Sequence, residues 1–223
     1  MLIQVETPSI AIAPGYSRMK RFLDLVFTLL LLLPLCLVML VIAVAIRLDS
    51  DGPVFFRQRR VGLNGVEFDI FKFRSMYHQS DDTLHREAIE RYMANEAVNG
   101  DASTNLQYKQ VDDPRVTRVG RFIRKTSLDE LPQFFNLLRG EMTLVGPRPP
   151  LPYEVECYSE HAKLRLRGKP GLTGLWQVYG RSQVPFRDMV EMDIAYLQQQ
   201  SILQDLKLIV LTIPVMVLGR GGA

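Results

Sequence analysis

Two adjacent acidic residues, Asp129 and Glu130, are the side chains in this sequence best suited to chemistry. They lie in the segment KTSLDELPQFFNLLRGEM, residues 125–142. Neighbouring residues on a helix point about 100° apart, so the two carboxylates would have different roles, one toward a substrate and one toward a divalent metal. The first turn of a helix is also where phosphate groups bind. The pair therefore indicates a metal-assisted reaction on a phosphate-bearing substrate.

The same acids also have a purely structural explanation. Ser127 and Glu130 have the spacing of a capping box, in which the two side chains satisfy the first backbone amides of a helix. Asp129 in that first turn would be stabilised by the helix dipole. From these residues alone, a helix cap and a catalytic pair both stay open.

Basic side chains on either side of the acids are suited to binding phosphate. Arg148 lies among the prolines of VGPRPP, and a stiff loop would present its planar guanidinium for bidentate contacts with phosphate. Arg118, Arg121 and Arg124 recur every three residues, so they would share one face of a helix. A face that is only cationic, close to an acidic pair, is a better candidate site than an ordinary charged surface.

Composition limits the class of protein. The 223 residues suffice for one compact domain and one membrane element. The two cysteines, Cys36 and Cys157, form no disulfide framework or metal cluster, which favours a reducing, cytoplasmic environment for the body. Residues 80–113 hold eight acids against three Lys/Arg, so the rest of this +3 chain carries +8. That charge suits anionic lipids or phosphate-bearing substrates; without a nucleic-acid motif, we expect no nucleic-acid partner.

Residues 25–46, LVFTLLLLLPLCLVMLVIAVAI, form a run of 22 residues without a charge. A straight helix of that length reaches roughly 33 Å, close to the thickness of a bilayer core. A secretory signal peptide has a shorter apolar part and ends at a small-residue cleavage site, whereas Arg47 follows here. We therefore expect this run to lie in lipid.

The charges around the apolar run bear on how it enters the membrane. Lys20 and Arg21 precede it and Arg47 follows it, and a helix that spans the membrane would leave one basic flank outside. Pro34 removes a backbone donor within the run, so a helix bent there could return to the same face. The alternative is a single-span anchor with a proline kink. Asp24, at the membrane boundary, needs a cation or helix-end donors nearby.

The remaining patterns predict a small body on the membrane surface. Asn64-Gly65 is a strong hairpin turn between alternating segments, the second being FDIFKFRSM. Phe55 and Phe56, beside three arginines, form either an interfacial patch or part of the core. Residues 206–218 are apolar but too short to span a bilayer, which favours a helix lying in the interface. Residues 80–111 form a polar insertion with a predicted helix over 82–95.

The order of these motifs resembles the bacterial sugar transferase family, the monotopic polyprenyl-phosphate phosphoglycosyl transferases. The resemblance runs from Lys20 to the C-terminus, and the 80–111 insertion is its least family-like part. It is similar to the small members that prime exopolysaccharide synthesis with a galactosyl or glucosyl phosphate. The motifs that carry it are KRFLDL, an apolar run broken by proline, DGPVFFRQRRVG, FKFRSM, DPRVTRVGRFIRKTSLDELPQFFNLLRGEMTLVGPRP and RGKPGLTGLWQVYGR.

The resemblance implies an α+β fold, mainly α. It predicts a re-entrant membrane helix-break-helix and a small cytoplasmic catalytic domain with a short β-hairpin and interfacial amphipathic helices. The implied boundaries are an N-terminal tail (1–19), the re-entrant helix (20–47) and the catalytic domain (48–223), which ends in an interfacial helix (202–218). The body would lie on the cytoplasmic side of the bacterial inner membrane. One departure is Leu33 before Pro34, where many members have serine.

The resemblance also implies an activity. Asp129 would be the nucleophile that takes a sugar phosphate from a UDP-sugar, expels UMP and passes the group to undecaprenyl phosphate. Glu130 would bind Mg²⁺, and Arg148 would bind nucleotide or phosphate. Lys72, Arg74 and Arg124 are further candidates for binding phosphate.

Two other functions stay open at this point. One is a non-catalytic membrane adaptor whose acids only cap a helix, and the other is a metal-dependent lipid-diphosphate hydrolase. The sequence does not identify the sugar or the polysaccharide pathway, and it leaves self-association into a homo-oligomer undecided.

Overall fold

The structure is a computed structural model that describes residues 14–78, 113–180 and 184–217. These residues are mainly helical, as predicted, and contain two small sheets, of which only the hairpin was predicted. The predicted helix over 82–95, the whole of the 80–111 insertion and most of the N-terminal tail lie outside the described residues. The helices are α1 (Pro14–Asp49), α2 (Arg118–Lys125), α3 (Phe134–Arg139), α4 (Pro152–Glu156), α5 (Glu160–Lys163), α6 (Leu175–Tyr179), α7 (Phe186–Gln199) and α8 (Ile202–Val217). The strands are β1 (Phe55–Val61), β2 (Glu67–Phe73), β3 (Thr143–Val145) and β4 (Gly171–Thr173); short 3-10 helices occupy Leu63–Gly65, Leu128–Gln133 and Leu164–Arg167.

Helix α1 contains the whole apolar run and continues through Pro34. The predicted break at Leu33-Pro34 is therefore not an interruption of the helix, because a proline removes only its own N–H and the helix can continue past that gap. By length and composition α1 could cross a membrane. A stripe of buried and half-buried positions recurs along it every three or four residues: Asp24, Thr28, Leu32, Leu35, Met39, Ile42 and Ile46. Its other faces are exposed and apolar, with Leu33 82% exposed.

Both flanks of the apolar run are attached to the folded body. Near its start, the buried carboxylate of Asp24 accepts hydrogen bonds from the Thr143 hydroxyl and, at 3.2 Å, from the backbone N–H of Leu144. Near its end, Asp49 accepts a hydrogen bond of 3.0 Å from the backbone N–H of Val119 at the start of α2. Asp24 thus accepts hydrogen bonds from a hydroxyl and a strand amide, and Lys169 is close enough to interact with its charge.

The predicted hairpin is confirmed. Strands β1 and β2 pair antiparallel in a register that sets Phe56 opposite Lys72. The chain reverses at Asn64 (φ 56°) and Gly65 (φ 81°), a backbone conformation that asparagine and glycine adopt most readily. Buried Phe68 and Ile70 lie on the inner side of β2, so the hairpin is fixed on the core.

One main core joins α1 to β2, α3, β3 and the last two helices. Its members include Ile46 of α1, Phe73 of β2, Leu137 of α3, Tyr196 of α7 and Leu208 of α8, all at most 2% exposed. A smaller cluster lies between the α5 region and α7, and the partly buried Trp176 packs against it. The main core supports the segment that carries the acidic pair. Leu131 and Leu137 follow the two acids in the sequence, and both are buried in this core.

Helix α8 is joined to the start of α1 by a buried polar network. The ammonium of Lys20 contacts the Asp205 carboxylate at 2.6 Å, and the hydroxyls of Tyr16 and Tyr196 donate to the same carboxylate at 2.8 and 2.6 Å. Burial raises the pKa of Tyr196 above its usual range, so this hydroxyl stays a donor. The opposite side of α8 is exposed and apolar: Leu203, Leu206, Val210 and Ile213.

Candidate active site

Asp129 and Glu130 lie in the 3-10 helix Leu128–Gln133, between α2 and α3. Leu131 and Pro132 of the same turn are buried, whereas the two acids are only half-buried. The apolar residues therefore anchor the turn in the core while the carboxylates stay accessible. Pro132 lacks a backbone N–H, which favours a short, tight turn over a longer regular helix at this point.

The predicted capping box does not form as expected. Ser127 precedes the turn in the left-handed conformation (φ 57°, ψ 17°), and its side chain makes no capping hydrogen bond. A capping serine normally has an extended backbone, from which its hydroxyl reaches the amides of the first turn. The structure therefore does not support helix capping by this serine as the reason for the acidic pair.

Lys72 of β2 contacts Glu130, one member of the acidic pair, directly. Its ammonium lies 2.7 Å from Glu130 Oε1, with the two side chains 16% and 31% exposed. The structure thus brings together two residues that are 58 positions apart and that the sequence named as candidates separately. The contact fixes one Glu130 oxygen toward β2.

Asn136 of α3 is a site residue that the sequence analysis missed. It is fully buried; its amide oxygen accepts from the backbone N–H of Phe71 at 3.1 Å, and its Nδ2 donates to the Asp69 carbonyl at 2.7 Å. These bonds satisfy the backbone groups of Phe71 and Asp69 that a neighbouring strand would otherwise bind at this edge of β2. They fix the strand that carries Lys72 to the helix that follows the acids. The only sequence signal was a polar residue within the apolar run FFNLLR.

The other predicted phosphate ligands lie in different settings. Arg124 lies in the last turn of α2 and is half-buried, and its carbonyl accepts from the backbone N–H of Ser127 at 3.2 Å, which places it shortly before the acids. Arg74 is 5% exposed and donates to the carbonyls of Asp51 and Ser50, the latter at 2.7 Å. Burial lowers the pKa of Arg74. Its contacts bind the turn after α1 to the end of β2, so the structure gives Arg74 a role in positioning the chain.

The loop around Arg148 is held by four successive carbonyl groups. Those of Pro147 and Pro150 accept from the backbone N–H groups of Gly171 and Val61, both at 2.9 Å. Those of Arg148 and Pro149 accept from the guanidinium groups of Arg165 and Arg60, at 3.2 and 2.9 Å. This is the stiff loop that the prolines predicted, and it leaves the Arg148 side chain half-buried. Val61 pairs with Glu67, so it is at the opposite end of the hairpin from Lys72.

Arg165 is the second residue that the sequence analysis missed. It is 2% exposed, contacts the carboxylate of Asp193 in α7 and donates to the Tyr158 hydroxyl at 2.8 Å. Burial raises the pKa of Asp193 to about 6, although the charge of Arg165 opposes this. A buried ion pair thus lies directly behind the backbone of Arg148.

No group of three or more His, Cys, Asp or Glu side chains in the described part of the chain is arranged to hold a metal ion. Asp129 and Glu130 are an adjacent pair of carboxylates. Such a pair matches Mg²⁺, which usually takes one or two carboxylates and completes its shell with water and substrate phosphate. The donor set therefore fits a magnesium ion that is shared with a phosphate-bearing substrate.

Comparison with known proteins gives a consistent result. The family model described as bacterial sugar transferase matches residues 15–219. The chain is 41% identical over 212 residues to the exopolysaccharide production protein ExoY of Sinorhizobium fredii, covering 95% of this chain and 91% of that protein. It is 44% identical over 210 residues to the galactosyl transferase CpsE of Streptococcus agalactiae, covering 93% of this chain and 44% of the relative.

A third relative carries a more specific name. The chain is 40% identical over 224 residues to the undecaprenyl-phosphate galactose phosphotransferase of Salmonella typhimurium. That alignment covers all of this chain and 45% of the relative. The chain thus spans nearly the full length of ExoY and less than half of the other two relatives.

Proposed function

The chain belongs to the bacterial sugar transferase family, and on this basis we propose that it moves a sugar 1-phosphate from a UDP-sugar to undecaprenyl phosphate, with release of UMP. The observation that carries the proposal is the accessible pair Asp129 and Glu130, anchored by buried neighbours and contacted by Lys72 at 2.7 Å. The name of the Salmonella relative, an undecaprenyl-phosphate galactose phosphotransferase, supports the acceptor. Exopolysaccharide priming is supported by the ExoY relative.

Asp129 takes part in two displacements at one phosphorus atom, as the nucleophile in the first and as the leaving group in the second. In the first, a carboxylate oxygen forms a bond to the phosphorus that carries the sugar, and the bond to UMP breaks with its electron pair leaving on UMP. In the second, a phosphate oxygen of undecaprenyl phosphate attacks the same phosphorus and the Asp129 carboxylate leaves. The covalent carboxylate intermediate thus divides one difficult transfer into two easier displacements.

Glu130 would hold Mg²⁺ together with the diphosphate of the substrate. When bound, the ion neutralises phosphate charge and lowers the cost of the negative charge that develops on the leaving group. Lys72 binds one oxygen of Glu130 and so fixes the orientation of its carboxylate. Arg148, on its braced loop, binds a phosphate or the nucleotide through its planar guanidinium.

Membrane attachment on one face is part of the proposal. Asp24 and Asp49, at the two ends of the apolar run, both bind the same folded body. A helix that crossed the bilayer between them would place its ends on opposite sides, and the body would have to extend through the membrane to reach both. We therefore favour a segment that enters and leaves the cytoplasmic face, which sets the dyad where a lipid phosphate can meet a soluble UDP-sugar.

The decisive experiment measures UMP release by membranes that contain the full chain. Sustained release from a UDP-hexose should need both Mg²⁺ and undecaprenyl phosphate, and the lipid product should carry the sugar as a diphosphate. Asp129→Asn should abolish release and should no longer retain radiolabelled sugar phosphate on the protein. Asp188→Asn, a change of the same kind at an exposed position of α7, should behave as wild type.

Three results would contradict the proposal. Undiminished turnover by Asp129→Asn would exclude it as the nucleophile. Free sugar phosphate as the product, without sugar-diphospholipid, would indicate the hydrolase, and the absence of UMP release with every UDP-sugar would favour the adaptor.

A further inference from the structure

Two arginines lie against one aromatic ring on the outer face of the hairpin. The guanidinium carbon of Arg57 is 5.4 Å from the centre of the Phe71 ring, and that of Arg139 is 4.9 Å from the same point. Arg57 faces Phe71 across the two strands, whereas Arg139 comes from the end of α3. The two guanidinium groups can therefore be at most about 10 Å apart. We call these three residues the arginine clasp.

The charges of the clasp are not matched by acids nearby. Both arginines are exposed, and in the described part of the chain neither forms an ion pair. Arg59, on the same strand and face, differs: it contacts Asp69 at 3.0 Å and Glu67 at 3.7 Å. The ring attracts each guanidinium, but at a separation within about one Debye length the two cations repel each other. An anion between or beside them would remove that cost.

The clasp faces away from the acidic pair. Successive side chains of a strand point to opposite faces, and Lys72, the residue after Phe71, contacts Glu130. An anion held by Phe71 and its arginines would therefore lie on the other face of the hairpin from the dyad. It would not be the phosphate that reacts.

The surroundings of the clasp are those of a membrane surface. Phe55, two residues before Arg57 and on the same face, is 46% exposed and stacks on Phe73 with ring centres 5.4 Å apart. Phe55 also begins the first strand after α1. At the other side, Arg21 of the α1 flank donates to two carbonyls at the end of α3, beside Arg139. At the headgroup zone of a bilayer, exposed aromatic rings usually lie among the headgroups, and cationic side chains beside them point toward the phosphates.

We propose that the arginine clasp binds the phosphate of an anionic phospholipid headgroup and so fixes the orientation of the body on the membrane. This proposal makes the predicted interfacial patch around Phe55 and Phe56 more specific. Of the three arginines in that patch, Arg60 is buried and hydrogen-bonded to Gln58 and Pro149, and Arg59 is paired with acids. Arg57 is therefore the one that can bind lipid.

The test compares lipids at the protein surface. The full chain is reconstituted in phosphatidylcholine vesicles, and the association of spin-labelled phosphatidylglycerol relative to spin-labelled phosphatidylcholine is measured. A basic residue near an anionic surface contributes about fivefold in binding, so Arg57→Gln and Arg139→Gln should each lower the preference about fivefold, and the double variant about 25-fold. No sugar donor is present, so the result is independent of the proposed catalytic function.

Arg59→Gln is the matched control, because it removes the same charge from the same face at a position already paired with acids. We expect it to change the preference less than twofold. Phe71→Leu keeps both charges but removes the ring, and it should lose most of the preference. An equal loss in all three arginine variants would overturn the site in favour of general charge attraction. Displacement of the lipid preference by millimolar inorganic phosphate would overturn the lipid in favour of a soluble anion.

Discussion

Arginines of similar appearance in the sequence have quite different roles in the folded chain. Arg60, Arg74 and Arg165 are all at most 5% exposed and donate to backbone carbonyls, so they brace the body. Arg57 is exposed and Arg148 is half-buried. The two cations of FKFRSM also separate, since Lys72 meets Glu130 whereas Arg74 binds the turn after α1. The partners, rather than the residue type, decide which cations are available to a phosphate.

The contact of Lys72 with Glu130 predicts a loss of activity when the ammonium is removed. Lys72→Met keeps the length of the side chain but leaves Glu130 without this partner. Groups that orient a metal-binding side chain typically contribute 10- to 100-fold, so kcat/KM should fall by about that factor. Lys163→Met, which breaks an exposed pair with Glu160, should leave kcat/KM unchanged. Wild-type kinetics for Lys72→Met, measured by UMP release, would rule out the orienting role.

The residues found from the sequence and those missed differ in the range of their contacts. Asp129 and Glu130 stood in a contiguous segment, and the Asn64-Gly65 turn needed only local backbone preferences. Asn136 could not be identified in this way because its strand partners are 65 and 67 positions away. The prediction that Ser127 caps the helix was wrong, because its side chain makes no capping hydrogen bond. Instead, the burial of Leu131 and Pro132 in the core fixes the turn.

Among the structural elements, the Arg148 loop depends on others that are distant in sequence. Its four carbonyls accept hydrogen bonds from β1, from the first residue of β4 and from Arg165 in the 3-10 helix Leu164–Arg167. Arg165 is in turn neutralised by Asp193 of α7. Helix α7 therefore reaches the candidate site through one buried ion pair. The sequence predicted a stiff loop from its prolines, but not the elements that brace it.

This ion pair predicts a large effect on stability. Asp193→Ala leaves the buried Arg165 without its counter-charge, and breaking such a pair lowers the free energy of unfolding by about 3–5 kcal/mol. The double variant Arg165→Met/Asp193→Leu should recover most of that loss, because two apolar side chains can replace a buried pair. Its KM for the UDP-sugar should stay raised, since the bond to the Arg148 carbonyl is still missing. Thermal unfolding in detergent and the kinetics of UMP release measure the two effects.

Glu191→Ala is the control on the same helix. Glu191 contacts His161 at 2.8 Å, but both side chains are about half-exposed, and such pairs contribute at most about 1 kcal/mol. An equal loss of stability in Glu191→Ala and Asp193→Ala would contradict the importance of burial. A wild-type KM in the double variant would contradict the role of Arg165 in positioning the loop.

For the whole molecule, the relation between α1 and the body decides how the protein meets the membrane. Lys20 and Asp24 bind α8 and β3 before the middle of the apolar run, and Met39 and Ile46 join the main core after it. Exposed apolar side chains of α1 thus occur next to a body that holds both of its ends. In the proposed one-sided arrangement, this anchor would keep the body at a fixed height on one leaflet, whereas a single span would leave it tethered at one end only.

The predicted arrangement can be tested with single cysteines at the two flanks. Both native cysteines are exposed, so Cys36→Ala and Cys157→Ser first give a chain without thiols. Ser17→Cys and Asp51→Cys then place one thiol at an exposed position on either side of the apolar run, and a chain that keeps only Cys157 reports on the body. With a maleimide that cannot cross membranes, all three should react only after the cells are opened, because the flanks and the body share the cytoplasmic face. Labelling of Ser17→Cys in intact spheroplasts, while Cys157 still needs lysis, would require a spanning helix and would exclude the one-sided anchor.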